Sequence, residues 1–434
     1  MKRALLIVSS FRPVMVADMH RVRMLAWEMP RLGWMVEVLT PRASEVRQDI
    51  VEKDSDAFFP EDIKAHEVGS FCRKAFEAIG SHTHAWRTLW PMYRRGCSLL
   101  ASGRFDLVYF STTTFVFFAL GSRWLTRFGV PYVLDFHDPW VKEQKANERG
   151  PTGWKRRIAQ SLSEELECSA VVNAAGLVAV SPKYIESLSR RYARYHPAWL
   201  APERNVVIPF GTLPEDLVEA RRLLPKVAVT ERAEIAIHYV GAGGSIMARS
   251  FSLICRAVAS LRAENSPLVN RVRIRLFGTT YGWKAGETKF LESVAHNAGV
   301  GDLIEEQPER VSYRRSLELL LQSNGVLILG VDDEGYMPSK LFSYALSGKP
   351  LLACLRRESP AYAKFQRTPG LGHALWFGAQ DEMADADAGR KMETFLKESA
   401  SRQILDRRQI LEPHLASAMA RRHVELFEAC LAKS

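Results

Sequence analysis

No stretch of this chain is apolar for long enough to cross a bilayer. Its most apolar segment, residues 108–125, is broken by Ser111, Thr112, Thr113, Thr114 and Arg123. That falls short of the roughly 18 to 20 uninterrupted residues a spanning helix needs. The opening Met1-Lys2-Arg3 leads into an apolar run of only five residues, Ala4 to Val8. Such a run suits a first β-strand and is too short for the core of a signal peptide. Cysteine is sparse and without order. The six thiols, Cys72, Cys97, Cys168, Cys255, Cys354 and Cys430, include no C-x-x-C pair. Their scatter argues against a zinc site or a disulfide framework and fits reduced, mostly buried thiols of a cytoplasmic protein. Repeats and low-complexity tracts are also lacking. The basic residues are dispersed and no nucleic-acid module is recognisable, so nucleic acid is not the expected partner.

What is present is the balance of a folded protein: 47% apolar and 25% charged among 434 residues, enough chain for two to three ordinary cores. The net charge of +10 points to an anionic partner, of the class of a nucleotide, an anionic membrane surface or nucleic acid, the last being the least expected. Strand and helix patterns alternate from the start. RALLIVSS reads as a strand, HRVRMLAWEMPRLG as a helix ending on Gly33, and WMVEVLTP as a second strand. FDLVYFS, a helix through 117–128, PYVLDF, a helix over 155–174 and GLVAVSP continue the series. The proline-rich seam PAWLAPERNVVIPFGTLPEDL is followed by a second series. Its strands are EIAIHYVGAGG, RVRIRLFG, LIEEQPERV, GVLILG and PLLACL, with helices at 250–263, 287–298, 313–323 and 338–347.

Repeated strand–helix–strand units imply parallel sheets. The expected fold is therefore α/β, with two Rossmann-like, doubly wound domains facing across a cleft lined by the carboxyl ends of their strands. The expected division is an N-terminal domain over 1–205 and a C-terminal domain over 206–413. A last amphipathic helix, about 414–434, is expected to return to the first domain. Residues 71–100 mix Arg73, Lys74, Arg87, Arg94 and Arg95 with Phe71, Phe76, Trp86, Trp90 and Tyr93, a composition that can lie on an anionic membrane surface.

The strongest local signal is EGYMPSKLFSYALSGKPLLA, residues 334–353. Pro338 suits a first helical turn and Gly348 with Pro350 a helix end. The amides of Ser339 and Lys340 at such a helix start, with the Lys340 ammonium, are an expected anion site.

This segment resembles the P-x-K-L-F-E-Y-x-x-x-G-x-P signature of glycosyltransferase family 4 and related GT-B enzymes. DFHDPWV (135–141) is similar to the family's D-F-R-D-P-W, and AVSPKY (179–184), VIPFGTLPEDL (207–217) and HYVGAGGSIMARSFSLICRA (238–257) follow in the family's order. The resemblance implies an enzyme that moves a sugar from a nucleotide-diphosphate sugar to an acceptor, mostly with retention, with no catalytic metal and no cofactor beyond the donor itself. The donor is expected on the second domain, held by Gly241, Gly243, Gly244, Arg249, Glu334, Ser339, Lys340, Leu341 and Ser343. The acceptor is expected on the first, near Arg21 and Asp135. His137, Asp138, Arg249 and Lys340 are the expected catalytic group, with cations stabilising the departing diphosphate as an oxyanion hole would.

Implied acceptors are a saccharide, a lipid-linked sugar or a small molecule, in polysaccharide, glycolipid or natural-product biosynthesis. The implied location is cytoplasmic, with peripheral contact at the inner face of the plasma membrane. Four departures stand out. Ser343 replaces the family's ribose-binding glutamate, and its partner position eight residues earlier is Gly335, with Glu334 one place out of register. His137 replaces an arginine, and the first loop, SSFRPVMVADMH, lacks paired glycines. They leave open a repurposed, inactive binding protein, and a nucleotide-sugar 2-epimerase is a third reading on the same scaffold.

Overall fold

Strands β1 (Lys2–Ile7) and β4 (Leu107–Ser111) lie at the centre of the first of two parallel sheets. The computed structural model describes residues 1–71, 84–141, 154–224, 234–280 and 289–432. The side chains of Ala4 to Ile7, and all those of β4, are buried. Both faces of these strands are covered, which is why they read as unbroken apolar runs and not as alternation. Around them stand β2 (Trp34–Pro41), β3 (Lys64–Val68), β5 (Tyr132–Phe136), β6 (Gly176–Ala179) and β7 (Asn205–Val207), in the order β3-β2-β1-β4-β5-β6-β7. Every pairing is parallel.

The second sheet repeats the plan. It contains β8 (Ile235–Val240), β9 (Val272–Phe277), β10 (Ile304–Gln307), β11 (Gly325–Leu329), β12 (Leu351–Arg356) and β13 (His373–Phe377), in the order β10-β9-β8-β11-β12-β13. These pairings are parallel as well. In both sheets the strand order runs outward from a central pair and reverses there, the doubly wound Rossmann-like arrangement. The reversal falls between β1 and β4 in one sheet and between β8 and β11 in the other. Ligands of such sheets bind beyond the carboxyl ends of the strands at that point.

By internal contacts the chain divides into Met1–Pro209 with Ala416–Ser434, and Phe210–Leu415. The last helix, Ala416–Leu431, joins the first unit through side chains that sequence spacing cannot pair. Arg422 donates to the Val207 carbonyl at 2.7 Å, and the Trp34 indole N–H donates to Glu428 at 3.1 Å.

Several element boundaries differ from the sequence expectation. The first helix is Ala17–Glu28, followed by a 3-10 turn, Met29–Leu32, because Pro30 cannot continue the helical hydrogen bonds. The expected helix at 117–128 is a 3-10 turn, Phe115–Phe118, and then the helix Ala119–Phe128. The expected helix at 338–347 is shorter: it runs over Leu341–Leu346 only. The Leu341 amide already donates to the Pro338 carbonyl at 3.3 Å, so Pro338 to Lys340 form a turn leading into the helix. A six-residue helix has little dipole, and this removes the helix-start anion site expected there. Part of the basic, aromatic segment 71–100 falls on residues 72–83, outside the described residues; the remainder forms the helix His84–Leu100. Among the described residues no helix is long and apolar enough to cross a membrane. The five cysteines among them are free thiols, and Cys72 lies outside.

Candidate functional site

In the first unit, the carboxyl ends of β4 and β5 bring one carboxylate under several donors. Asp135, next to last in β5, is fully buried and lies 2.9 Å from Nε of Arg21, also fully buried. The Tyr109 and Ser111 hydroxyls donate to the same Asp135 oxygen at 2.7 and 3.1 Å, and His137 Nε2 lies 2.6 Å from it. Burial opposes ionisation of Asp135, yet Arg21 and His137 outweigh it and hold the carboxyl well below the usual range. Behind them His423, from the last helix, lies 3.0 Å from the Tyr109 hydroxyl. Burial, and then the Arg21 charge, push His423 down to about 3. It is therefore a neutral member of the group.

Arg21 also donates to the Ile208 carbonyl at 2.7 Å. Its expected acceptor-side role gives way to an internal one, since its guanidinium has no exposed surface. His137 is nearly buried and fixed by Asp135, whereas Asp138 beside it is exposed. The first loop turns its bulky residues inward. Phe11, Val14 and Met15 are buried, and Phe11 meets Phe59 edge to face at 5.2 Å.

Glu167 is a residue the sequence did not mark. It is buried and accepts from the Val141 amide at 2.9 Å and the Tyr192 hydroxyl at 2.7 Å, and it pairs with Arg191. It thereby ties down the chain just after Trp140. In sequence it is one acid on a polar helix, with no signal of burial.

Beside these strand ends lies a groove of about 730 Å³, lined by residues that include Val46, Trp86, Phe115, Trp140 and Leu166. Trp140 stacks on Phe115 with centroids 5.8 Å apart and planes at 14°.

In the second unit, β8 ends in the turn Gly241-Ala242-Gly243-Gly244. The amides of Gly241 and Gly243 donate to the carbonyls of Phe277 and Thr279 at 2.8 and 3.0 Å. Lys340, reached from the end of β11, comes back over this turn, so both lie at the reversal point of the sheet. Its ammonium donates to the Val240 carbonyl at 2.6 Å and stands 5.8 Å from the centre of the Tyr239 ring. The Tyr344 hydroxyl donates to the same carbonyl at 2.6 Å. Burial, with the Arg310 charge added, lowers the Lys340 ammonium to about 8. Arg310, in the loop after β10, is a second cation that the sequence reading passed over.

A Cβ on Gly241 would lie 1.5 Å from the Lys340 nitrogen. Gly241 also sits at φ 155°, a conformation L side chains rarely adopt, so Gly241→Ala is expected to strain the turn as well as displace the ammonium. Affinity for a nucleoside diphosphate should fall about tenfold or more, the worth of one charge-assisted hydrogen bond. Calorimetry on the folded variant checks this, and unchanged affinity would detach the turn from the anion site.

The other donor-side residues are placed differently. Arg249 stands over the Phe377 ring at 5.0 Å, donates to the Asp381 carbonyl at 3.4 Å and lies 3.8 Å from Asp332. Glu334 accepts from Arg356 at 2.9 Å, and Arg356 also pairs with Asp332 and Glu358. Arg249 and Glu334 are therefore linked through one acid–base cluster. Ser343 donates to the Thr212 hydroxyl at 3.2 Å. Leu341 has its side chain in the core, and Ser339 is half-buried in the turn before the short helix. Among the described residues no group of three or more histidine, cysteine or acidic side chains is placed to hold a metal.

Residues 20–211 match the family described as the glycosyl transferase 4-like domain. No curated protein matches the sequence significantly. Solved structures similar over the full chain include HepE of Anabaena in complex with UDP-glucose. It is 13% identical, with 98% of this chain and 99% of that one covered and a TM-score of 0.57. The catalytic domain of starch synthase IV from Arabidopsis thaliana, bound to ADP and acarbose, is 12% identical with both chains fully covered (100%) and a TM-score of 0.61. A UDP-forming trehalose-phosphate synthase from Burkholderia xenovorans is 13% identical, again at 100% of both chains, with a TM-score of 0.60. Residues 20–211 of the first unit thus carry the similarity to that family, and the chain has the two-domain fold of these GT-B structures.

Proposed function

We propose that this GT-B chain moves a glycosyl group, with retention and without a metal, from a nucleoside diphosphate sugar held by the second unit. The observation that carries the proposal is the Lys340 ammonium returning onto the Gly241 turn at the reversal point of that sheet. A departing diphosphate gains negative charge as its bond to the anomeric carbon breaks. A cation fixed beforehand beside it stabilises that charge without reorganising. Arg310 adds positive charge at the same place. Similar folds carrying UDP-glucose, UDP or ADP support the donor class.

In the first unit His137, oriented by Asp135, is the side chain suited to hydrogen-bond a sugar hydroxyl during transfer. The acceptor is taken there, in polysaccharide, glycolipid or natural-product assembly. Trp86 and Trp90, exposed on the helix His84–Leu100, support a cytoplasmic protein resting against an anionic membrane face. Ser343, lacking a carboxylate, offers the ribose a weaker hydrogen bond than glutamate would.

The test is calorimetric and thermal-shift titration of the full chain with UDP, GDP, ADP, dTDP and CMP, with and without magnesium. One diphosphate should bind saturably and independently of the metal. It should stabilise the protein by about 2.7 kcal/mol at a hundredfold excess over Kd. Failure of all five to bind would sink the transferase reading and leave a repurposed scaffold.

A further inference from the structure

The sheet of the second unit forks at its reversal point. Strand β8 stays paired with β9 to its last residue, Val240 opposite Phe277, whereas its pairing with β11 stops at Val326 opposite His238. Beyond that point β11 continues beside β12, with Leu329 opposite Cys354. The Gly241 amide goes to the Phe277 carbonyl, on the β9 side. Successive strand residues turn their backbone groups to alternate edges, so the N–H and carbonyl of Val240 point into the fork. Buried there without a strand beside them, both need other partners.

One side chain supplies them. The Tyr344 hydroxyl accepts from the Val240 amide at 3.0 Å and donates to the Val240 carbonyl at 2.6 Å, standing in for the missing strand. The carbonyl has a second donor, the Lys340 ammonium at 2.6 Å, four residues earlier in the chain. The two donors differ in freedom. Tyr344 is only 3% exposed and has no path out of the fork. Lys340 is half-buried, and Gly241 beside its nitrogen has no side chain to confine it.

Resting on the transferase reading, we infer that Tyr344 is a positioning residue of the diphosphate site. It keeps the Val240 carbonyl bonded while the Lys340 ammonium turns from that carbonyl to the diphosphate. A buried carbonyl about to lose its sole donor opposes the loss, because an unpaired acceptor away from water is costly. A carbonyl with a second, fixed donor releases the first readily. Enclosed as it is, Tyr344 acts through Lys340 and not on the ligand.

The full-length native chain, Tyr344→Phe, Lys340→Ala and the double variant are titrated by calorimetry with UDP, GDP, ADP and dTDP. Tyr344→Phe keeps the ring and should fold, which circular dichroism checks. It should bind the diphosphate preferred by the native chain about tenfold more weakly, the effect of one acceptor left unpaired. In the Lys340→Ala background the same substitution should change nothing, because no ammonium leaves the carbonyl. Such non-additivity marks two groups that act as one. A second readout needs no ligand: the Lys340 titration, followed by NMR of labelled lysine. Its midpoint, about 8 in the native chain, should rise in Tyr344→Phe, where the carbonyl accepts from the ammonium alone and favours its charged form. Burial and the Arg310 charge, which lower it, are common to both proteins. Native affinity in Tyr344→Phe, an equal loss in the Lys340→Ala background or an unmoved midpoint would overturn the inference and leave the transferase reading standing. If the native chain bound none of the four, both would fall together.

Discussion

Lys340→Ala is expected to lower turnover about 100- to 1000-fold, the usual effect of removing one preorganised donor from a developing anion. The fold should survive, since the lysine makes one hydrogen bond to the Val240 carbonyl and Tyr344 donates to the same oxygen. A pH signature should accompany it. Burial lowers the Lys340 ammonium from 10.5 to about 8. Between those values the folded protein holds the amine neutral while the unfolded chain still holds its proton. By linkage, this group's contribution to stability rises with pH across that window. A bound diphosphate favours the charged form and works the other way. Titrated above about pH 8, the native protein should take up a proton on binding, seen as a dependence of binding heat on buffer ionisation enthalpy. Lys349 is lowered to about 8 by burial as well, so the stability slope is shared between two lysines. The ligand-linked proton should belong to Lys340 alone and vanish in Lys340→Ala. Native turnover in that variant, or proton uptake that persists in it, would remove Lys340 from the diphosphate site.

Asp135→Ala is expected to destabilise the first unit by about 3–5 kcal/mol, the cost of stranding one member of a fully buried ion pair. Arg21 would keep its charge with the carboxylate gone, and His137 would lose the group that orients it. Urea unfolding followed by tryptophan fluorescence measures the loss, with diphosphate binding to the second unit as a control. A loss under about 1 kcal/mol, the range of an exposed pair, would mean that Arg21 and Asp135 are not paired away from water. In the native protein the sign with acid is fixed as well. The carboxyl is held below its ordinary range, so the stability it contributes is present above the unfolded pKa. It is lost only as pH falls toward the depressed folded value.

These two cases mark how far local sequence reached. Lys340 was legible because lysine after Met337-Pro338-Ser339 is part of a contiguous motif. Gly241 was legible because glycines after an apolar strand mark a turn. That the one lies over the other required the strand order, which sets β8 beside β11. Arg21 shows the opposite outcome: the motif comparison found the residue but set it toward the acceptor. Its partner lies in β5, beyond three intervening strands in the sequence, and no local pattern reports that pairing. The short helix Leu341–Leu346 was overextended because Pro338 is an equally good residue for a turn.

By itself, the sequence determined the class of fold. Apolar runs of strand length, punctuated by glycine and proline and alternating with helical spacing, admit little besides two parallel sheets, because each run must be buried on both faces. It also determined which segments end at the ligand side, since strand direction follows from the alternation. The tertiary structure alone decided which of those residues are engaged by partners from elsewhere in the chain. Arg21 and Glu334 are taken up by Asp135 and Arg356, His137 is held under a carboxylate, and Glu167 pins the chain after Trp140. A charged side chain's role depends on which opposite charge reaches it and how much water remains. Both are set by chain segments far apart in sequence.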